Sequence, residues 1–248
     1  MKPKRILNYF ISIGILVSVF TIHVEAQNDS IAKTNTDSTV VQLKYGLRVG
    51  IDTGKLIRSY IDDEYTGIEF IADYRLTKDL YIAGEVGNEE KLTTTDFLDV
   101  KTKGTYFKVG VDYNLYQNWL NMDNMVYFGF RGAASSFSHI INEYTIYNTN
   151  QYWQQNSITE PFDKNSLSAI WSELILGIKA ELFNNLYLGL NAQLKVLLTE
   201  TVPDNFENIY IPGFNKTYDS TRIGVGYGYT ISYRIPIYKK KKVIAPEK

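Results

Sequence analysis

The chain has 248 residues, no cysteine and a formal net charge of −1, with 20 Tyr and 12 Phe. The lack of cysteine excludes a disulfide framework and thiol chemistry, and so small a charge excess argues against a nucleic-acid partner, which would want a basic face. Beyond Ala26 no run approaches the roughly 18 apolar residues of a helical membrane span.

Lys2, Lys4 and Arg5 precede a mostly apolar stretch from Ile6 to Ile22, and Val24-Glu25-Ala26 stands before Gln27. A basic start, an apolar middle and short residues at −3 and −1 make residues 1–26 a secretory signal peptide, cleaved between Ala26 and Gln27. The segment carries a net +2, so its removal takes the total from −1 to −3. Residues 27–43 are polar and read as a periplasmic linker.

From Lys44 onward large apolar residues recur at every second position, the period of a strand with two unlike faces. Eight such segments are expected, near 44–52, 65–76, 80–88, 105–115, 125–137, 168–182, 186–198 and 222–236. The connections Thr77-Lys78-Asp79 and Phe183-Asn184-Asn185 are short, and YQNWLNMDN (116–124) is modest. The stretches 53–64, 89–104, 138–167 and 199–221 are expected as long loops. Short turns alternating with long loops describe an all-β, eight-stranded antiparallel up-and-down barrel in an outer membrane, with both mature termini periplasmic. The barrel is expected over 44–238, followed by a basic periplasmic tail, 239–248. Lys239 to Lys242 in that tail either touch anionic lipid head groups or are solvated.

One face of every strand carries no charge: Ile68, Phe70, Ala72, Tyr74 and Leu76 in the second, Phe107, Val109, Val111, Tyr113 and Leu115 in the fourth. A Lys or Arg at a bilayer midplane would cost about 2–4 kcal/mol. A soluble core would exclude charge too, as in a secreted lipocalin-like carrier. The loop alternation and the interfacial aromatics Tyr74, Tyr113, Trp119, Tyr187 and Tyr233 favour lipid.

The opposite face carries Arg48, Arg75, Lys108, Arg131, Lys179, Lys195 and Arg234. With them stand Asp52, Glu69, Asp73, Glu85, Asp112, Glu173 and Glu181. An eight-stranded barrel has an interior that side chains just fill. Balanced charges in that space should pair, because lone buried charges are very costly. The expectation is a closed, ion-paired interior, with no cofactor, no metal site and no catalysis.

A signal peptide, eight alternating strands and a last strand ending YTISYRIPIY resemble the small outer-membrane barrels of the OmpA transmembrane domain and OmpX type, over residues 44–238. The stretches YGLRVGIDTGKLI and EYTGIEFIADYRLTKDLYIAGEVG are similar to an uncharacterised barrel family of Bacteroidota. The resemblance implies a location in the outer membrane, in contact with its lipid and lipopolysaccharide. The triplets Asp29-Ser30-Ile31, Asp37-Ser38-Thr39 and Asp219-Ser220-Thr221 resemble the O-glycosylation pattern of that phylum.

Some barrels of this architecture modify lipid A acyl chains with a His, a Ser and an acid. The one histidine after the signal segment is His139, near Ser135, Ser136, Ser138 and Glu143; it reads as a solvated loop residue rather than a catalytic one. Asp62-Asp63-Glu64 reads as a solvated turn rather than a divalent-cation site. In the longest loop Tyr144, Tyr147, Tyr152, Trp153 and Phe162 interleave with Asn and Gln. Such aromatics serve recognition of an envelope partner, or cap the barrel by packing on themselves.

Overall fold

The computed structural model describes residues 39–116, 123–145, 157–203, 207–216 and 221–244. In chain order the elements are β1 (Thr39–Asp52), α1 (Thr53–Ile61), β2 (Tyr65–Arg75), β3 (Leu80–Thr95), β4 (Leu98–Asn114), β5 (Met125–Thr145), β6 (Ser157–Ile158), β7 (Phe162–Phe183), β8 (Leu186–Glu200), β9 (Tyr210–Ile211), β10 (Asn215–Lys216) and β11 (Ile223–Ile244). The eight long strands form one ring. The order β4-β3-β2-β1-β11-β8-β7-β5 is closed by pairing of β4 with β5, and every pairing is antiparallel.

The faces of the ring are sorted opposite to those of a soluble protein. On β4, Phe107, Val109 and Val111 are 57%, 51% and 40% exposed, while Lys108 and Asp112 between them are 2% and 0% exposed. A Val, Leu or Phe left in water forfeits about 1.5–3 kcal/mol relative to burial, and this protein exposes several on β4, β5, β7, β8 and β11. A hydrocarbon surround removes that penalty, so the apolar face is the lipid face of a transmembrane barrel and the charged face fills the lumen. This overturns the lipocalin alternative. Tyr187 departs from the expected interfacial set: it points inward, fully buried, and its hydroxyl donates to Asp123 Oδ2 at 3.4 Å.

The short turns are set by local chemistry. Between β2 and β3 the Thr77 hydroxyl accepts from the Leu80 amide at 3.1 Å, and the Leu76 amide donates to the Leu80 carbonyl. Between β7 and β8, Asn185 adopts φ 69°, a left-handed conformation that Asn tolerates better than most side chains.

At the opposite end the strands run further than their apolar periodicity. The expected loop 89–104 is a hairpin, its ladder continuing to Thr95 opposite Leu98. The outward positions there are Asn88, Lys103 and Thr105, polar because this part of the wall has left the hydrocarbon. The expected loop 138–167 is strand up to Thr145 and again from Phe162, with β6 against Tyr144 and Thr145. The expected loop 53–64 holds α1. At the turn end β1 and β11 pair out to Thr39 opposite Ile244, beyond the expected strand limits at Lys44 and Pro236.

Candidate functional site

The lumen holds two ion networks. In the larger, Arg48 and Lys179 both bind Asp73, at 2.7 and 2.8 Å, and Lys179 lies 3.6 Å from Asp112. Arg131 joins Asp112 at 2.8 Å to Glu85 at 3.3 Å. Lys108 then meets three acids, Glu85 at 3.0 Å, Glu69 at 3.4 Å and Glu173 at 3.5 Å, and Lys195 stands 3.7 Å from Glu173. The smaller network, at the turn end, runs from Arg75 through Asp123 to Arg234, Glu181 and Lys44. Arg48 and Arg75 lie over the Tyr81 ring, 4.9 and 5.0 Å from its centroid, where the two networks approach. A cavity of about 20 Å³ beside Glu85, Arg131 and Lys179 is room for about one water.

Four members of these networks escaped the periodicity: Lys44 at a strand start, Lys55 on α1, Glu89 and Asp123. Asp52, expected in the lumen, is the N-cap of α1 and accepts from the Gly54 amide at 2.8 Å. The cap turns the chain out of β1 and aims Lys55 into the barrel. There its ammonium binds Glu89 at 2.5 Å, Glu69 at 3.1 Å and the Tyr106 hydroxyl at 2.5 Å. Burial alone would lower the pKa of Lys55; Glu89 and Glu69 outweigh it and hold the pKa above the ordinary lysine value.

Glu89, fully buried, ties the loop end together. Besides Lys55 it accepts from the Tyr210 hydroxyl at 2.7 Å and the Gly213 amide at 2.9 Å. It thereby pins the hairpin of β9 and β10 down into the mouth. Ile211 and Phe214 of that hairpin pack with Tyr106, Phe137, Leu167 and Trp171, and Lys195 donates to the Gly213 carbonyl at 2.6 Å. Gly213 has φ +82°, and a Cβ there would stand 2.5 Å from the Tyr106 ring, so only glycine allows this docking.

His139 is not solvated. It is 3% exposed, with Nδ1 at 2.7 Å from the Thr102 hydroxyl and Nε2 at 3.0 Å from Asn208 Oδ1. Asn208 in turn donates to Glu200 at 2.8 Å and to the Thr201 carbonyl at 2.9 Å. The imidazole therefore sits inside the attachment of the 199–221 segment to the wall, where β5 has continued past its expected end.

The acidic triplet is partly neutralised by the chain itself. Asp62 accepts from Arg58 at 3.2 Å, and Lys91 lies 3.0 Å from Glu64. The little burial at Asp62 would raise its carboxyl, but Arg58 and Lys91 hold it below the usual range. Among the described residues no group of His, Cys, Asp or Glu could hold a metal ion. Tyr144 packs edge-on against Phe162 with centroids 6.0 Å apart. Tyr147, Tyr152, Trp153, Trp119, Ala26 and Gln27 lie outside the described residues.

A family model described as a domain of unknown function, DUF6048, matches residues 6–240. The chain belongs to the DUF6048 family. No curated protein matches it. Among solved structures it is similar to Ail, the attachment invasion locus protein of Yersinia pestis. The identity is 9% and the TM-score 0.37, over 80% of this chain and 98% of that one.

Proposed function

We propose that this DUF6048 protein is an integral outer-membrane barrel, both mature termini periplasmic, that serves the cell envelope by binding rather than by transport or catalysis. The observation that carries the reading is the pairing of an apolar lipid face with a lumen filled by ion pairs. A filled lumen leaves no path for solute, and its cations and anions pair with one another instead of lining a channel of one sign. A lipid A-modifying enzyme would need His139 within reach of substrate, and the imidazole is buried between Thr102 and Asn208. Recognition then falls to the loop end. There the segment 138–167, with Tyr144, Tyr147, Tyr152 and Trp153, is the proposed contact for an envelope partner.

The barrel in detergent should migrate differently before and after boiling, and in planar bilayers it should give no steady conductance. Stable, reproducible channels would replace the binding reading with a porin-like one. A detergent-free soluble monomer would remove the membrane reading altogether.

A further inference from the structure

β1 is too short to complete the wall. It pairs with β2 only as far as Ile51 opposite Phe70, and with β11 only as far as Asp52 opposite Thr230. Toward the loop end β2 continues to Tyr65 and β11 to Ile223, so the two face each other across a missing strand. Helix α1 lies in that opening. Its Ser59 hydroxyl accepts from the Gly67 amide at 2.8 Å, as a neighbouring strand would at the edge of β2, and its single proton lies between the Lys55 carbonyl at 2.8 Å and the Gly67 carbonyl at 3.2 Å. On the other side the Thr53 hydroxyl donates to the Tyr229 carbonyl at 2.8 Å.

The helix does not close the side toward β11. By the alternation of antiparallel bonding, Tyr227 and Val225, two and four residues along from Tyr229, also turn their N–H and C=O toward the opening. Their side chains are 73% and 72% exposed, against 44% for Leu194 on the neighbouring strand. A notch of about 90 Å³ lies here, lined among others by Lys55, Arg58, Lys195, Glu89 and Val225 to Tyr227. Lys55 is met there by Glu89 at 2.5 Å and Glu69 at 3.1 Å, which leaves Arg58 and Lys195 as the incompletely paired cations of the notch. Asp62 takes only Nε of Arg58, whose side chain is 39% exposed, and Lys195 is nine-tenths buried with its nearest acid 3.7 Å away.

The notch sits near the edge of the apolar band, since on β11 only Ile223 and Gly224 separate Val225 from Arg222. The helix face turned away from Lys55 and Ser59 is Ile57, Tyr60 and Ile61, which are 58%, 90% and 74% exposed. An open sheet edge is not tolerated in hydrocarbon unless something polar meets it. From Tyr227 an apolar groove of about 510 Å³ runs down the lipid face past Ala192, Leu190, Leu176, Ile178 and Val126. Ala192 supplies the depression, being small among Leu and Tyr neighbours. A basic notch and an apolar groove sharing Tyr227 match a molecule with an anionic head and a long chain.

We propose that the notch and groove together bind one anionic lipid of the surrounding membrane, its phosphate between Arg58 and Lys195 and an acyl chain along the groove past Ala192. The proposal rests on the outer-membrane reading. Phosphate oxygens would accept from Arg58, Lys195 and the free edge of β11, charge-assisted bonds that a zwitterionic head offers less well. The helix face of Ile57, Tyr60 and Ile61 borders the same lipid.

Native mass spectrometry of the purified barrel in neutral detergent tests this, with lipid A, phosphatidylcholine and inorganic phosphate as probes. One lipid A should bind at least about tenfold more tightly than phosphatidylcholine, and inorganic phosphate alone should not displace it, because the chain contributes. The double variant Arg58→Gln, Lys195→Gln should weaken lipid A binding about tenfold or more. Ala192→Phe, which fills the groove from the lipid side without touching a charge, should weaken it as well while heat-modifiable migration is kept. If the double variant fails to fold, Ala192→Phe decides alone. Equal affinity for lipid A and phosphatidylcholine, full displacement by inorganic phosphate, or unchanged lipid A binding in Ala192→Phe would each overturn the site. A wild-type chain lacking any heat-modifiable form would instead sink the barrel reading beneath it.

Discussion

Lys108→Met should lower the unfolding stability of the barrel by about 3–5 kcal/mol, the scale for stripping one partner from a buried ionic cluster. Lys108 is 2% exposed and, among the described residues, is the only cation within 4 Å of both Glu85 and Glu173 at once, at 3.0 and 3.5 Å, with Glu69 at 3.4 Å. Methionine keeps most of the volume and removes the charge, so the loss measures electrostatics rather than packing. Adding Glu85→Gln, which removes the nearest of the carboxylates that lose Lys108, should restore part of the loss, because the two sites share one contact. Urea midpoints in detergent, followed by heat-modifiable migration, read both variants. A neutral Lys108→Met would mean that the acids around it are compensated by something other than this lysine.

The second large effect is expected at Glu89. Glu89→Leu removes the acceptor of the Tyr210 hydroxyl and the Gly213 amide and one of the two carboxylates that hold Lys55. Buried groups stripped of a charged partner cost about 3 kcal/mol or more in sum. The damage should be local. The hairpin of β9 and β10 should detach, and proteolysis within 199–221 should rise at least tenfold, as expected when a local opening equilibrium shifts by more than about 1.4 kcal/mol. The turn-end network of Arg75, Asp123, Arg234, Glu181 and Lys44 does not involve Glu89, so the heat-modifiable form should persist. Glu89→Gln, which retains an acceptor but no charge, should fall between. Protection of the hairpin equal to wild type in Glu89→Leu would show that Ile211 and Phe214 alone hold it.

The membrane-embedded part of this fold was legible because two solvents write on it at once. Phe107, Val109 and Val111 must be apolar for lipid, and Lys108 and Asp112 must be polar to fill a narrow lumen, so the period of two is unbroken. Above the hydrocarbon that constraint lapses. Asn88, Lys103 and Thr105 point outward into water, and Glu89 points inward, so polar follows polar and the strand reads as loop. His139 was misplaced for the same reason: β5 continues past Phe137 with Ser138 and His139, where alternation carries no hydrophobic contrast.

Helix α1 was hidden by brevity. Nine residues give too few turns for an apolar stripe to stand out, and the lysine that matters, Lys55, follows a cap, Asp52, that belongs equally well to the preceding strand. A signal was present in Asp52-Thr53-Gly54, a side-chain acceptor ahead of free amides. The hairpin at the mouth had its own signal in Pro212-Gly213, a turn dipeptide flanked by Tyr210, Ile211 and Phe214. What no local pattern contained was the pairing of Glu89 with Gly213, 124 residues apart.

The central claim is that the apolar face meets lipid and the charged face meets itself. Because the chain contains no cysteine, single cysteines can carry spin labels at Val109, Leu176 and Lys103 of the protein reconstituted in bilayers. The labels at Val109 and Leu176 should relax strongly with dissolved oxygen and weakly with a water-soluble nickel chelate, and the label at Lys103 should do the reverse. Equal access of the nickel chelate to all three positions would mean that the face carrying Val109 and Leu176 lies in water, and the account would be wrong.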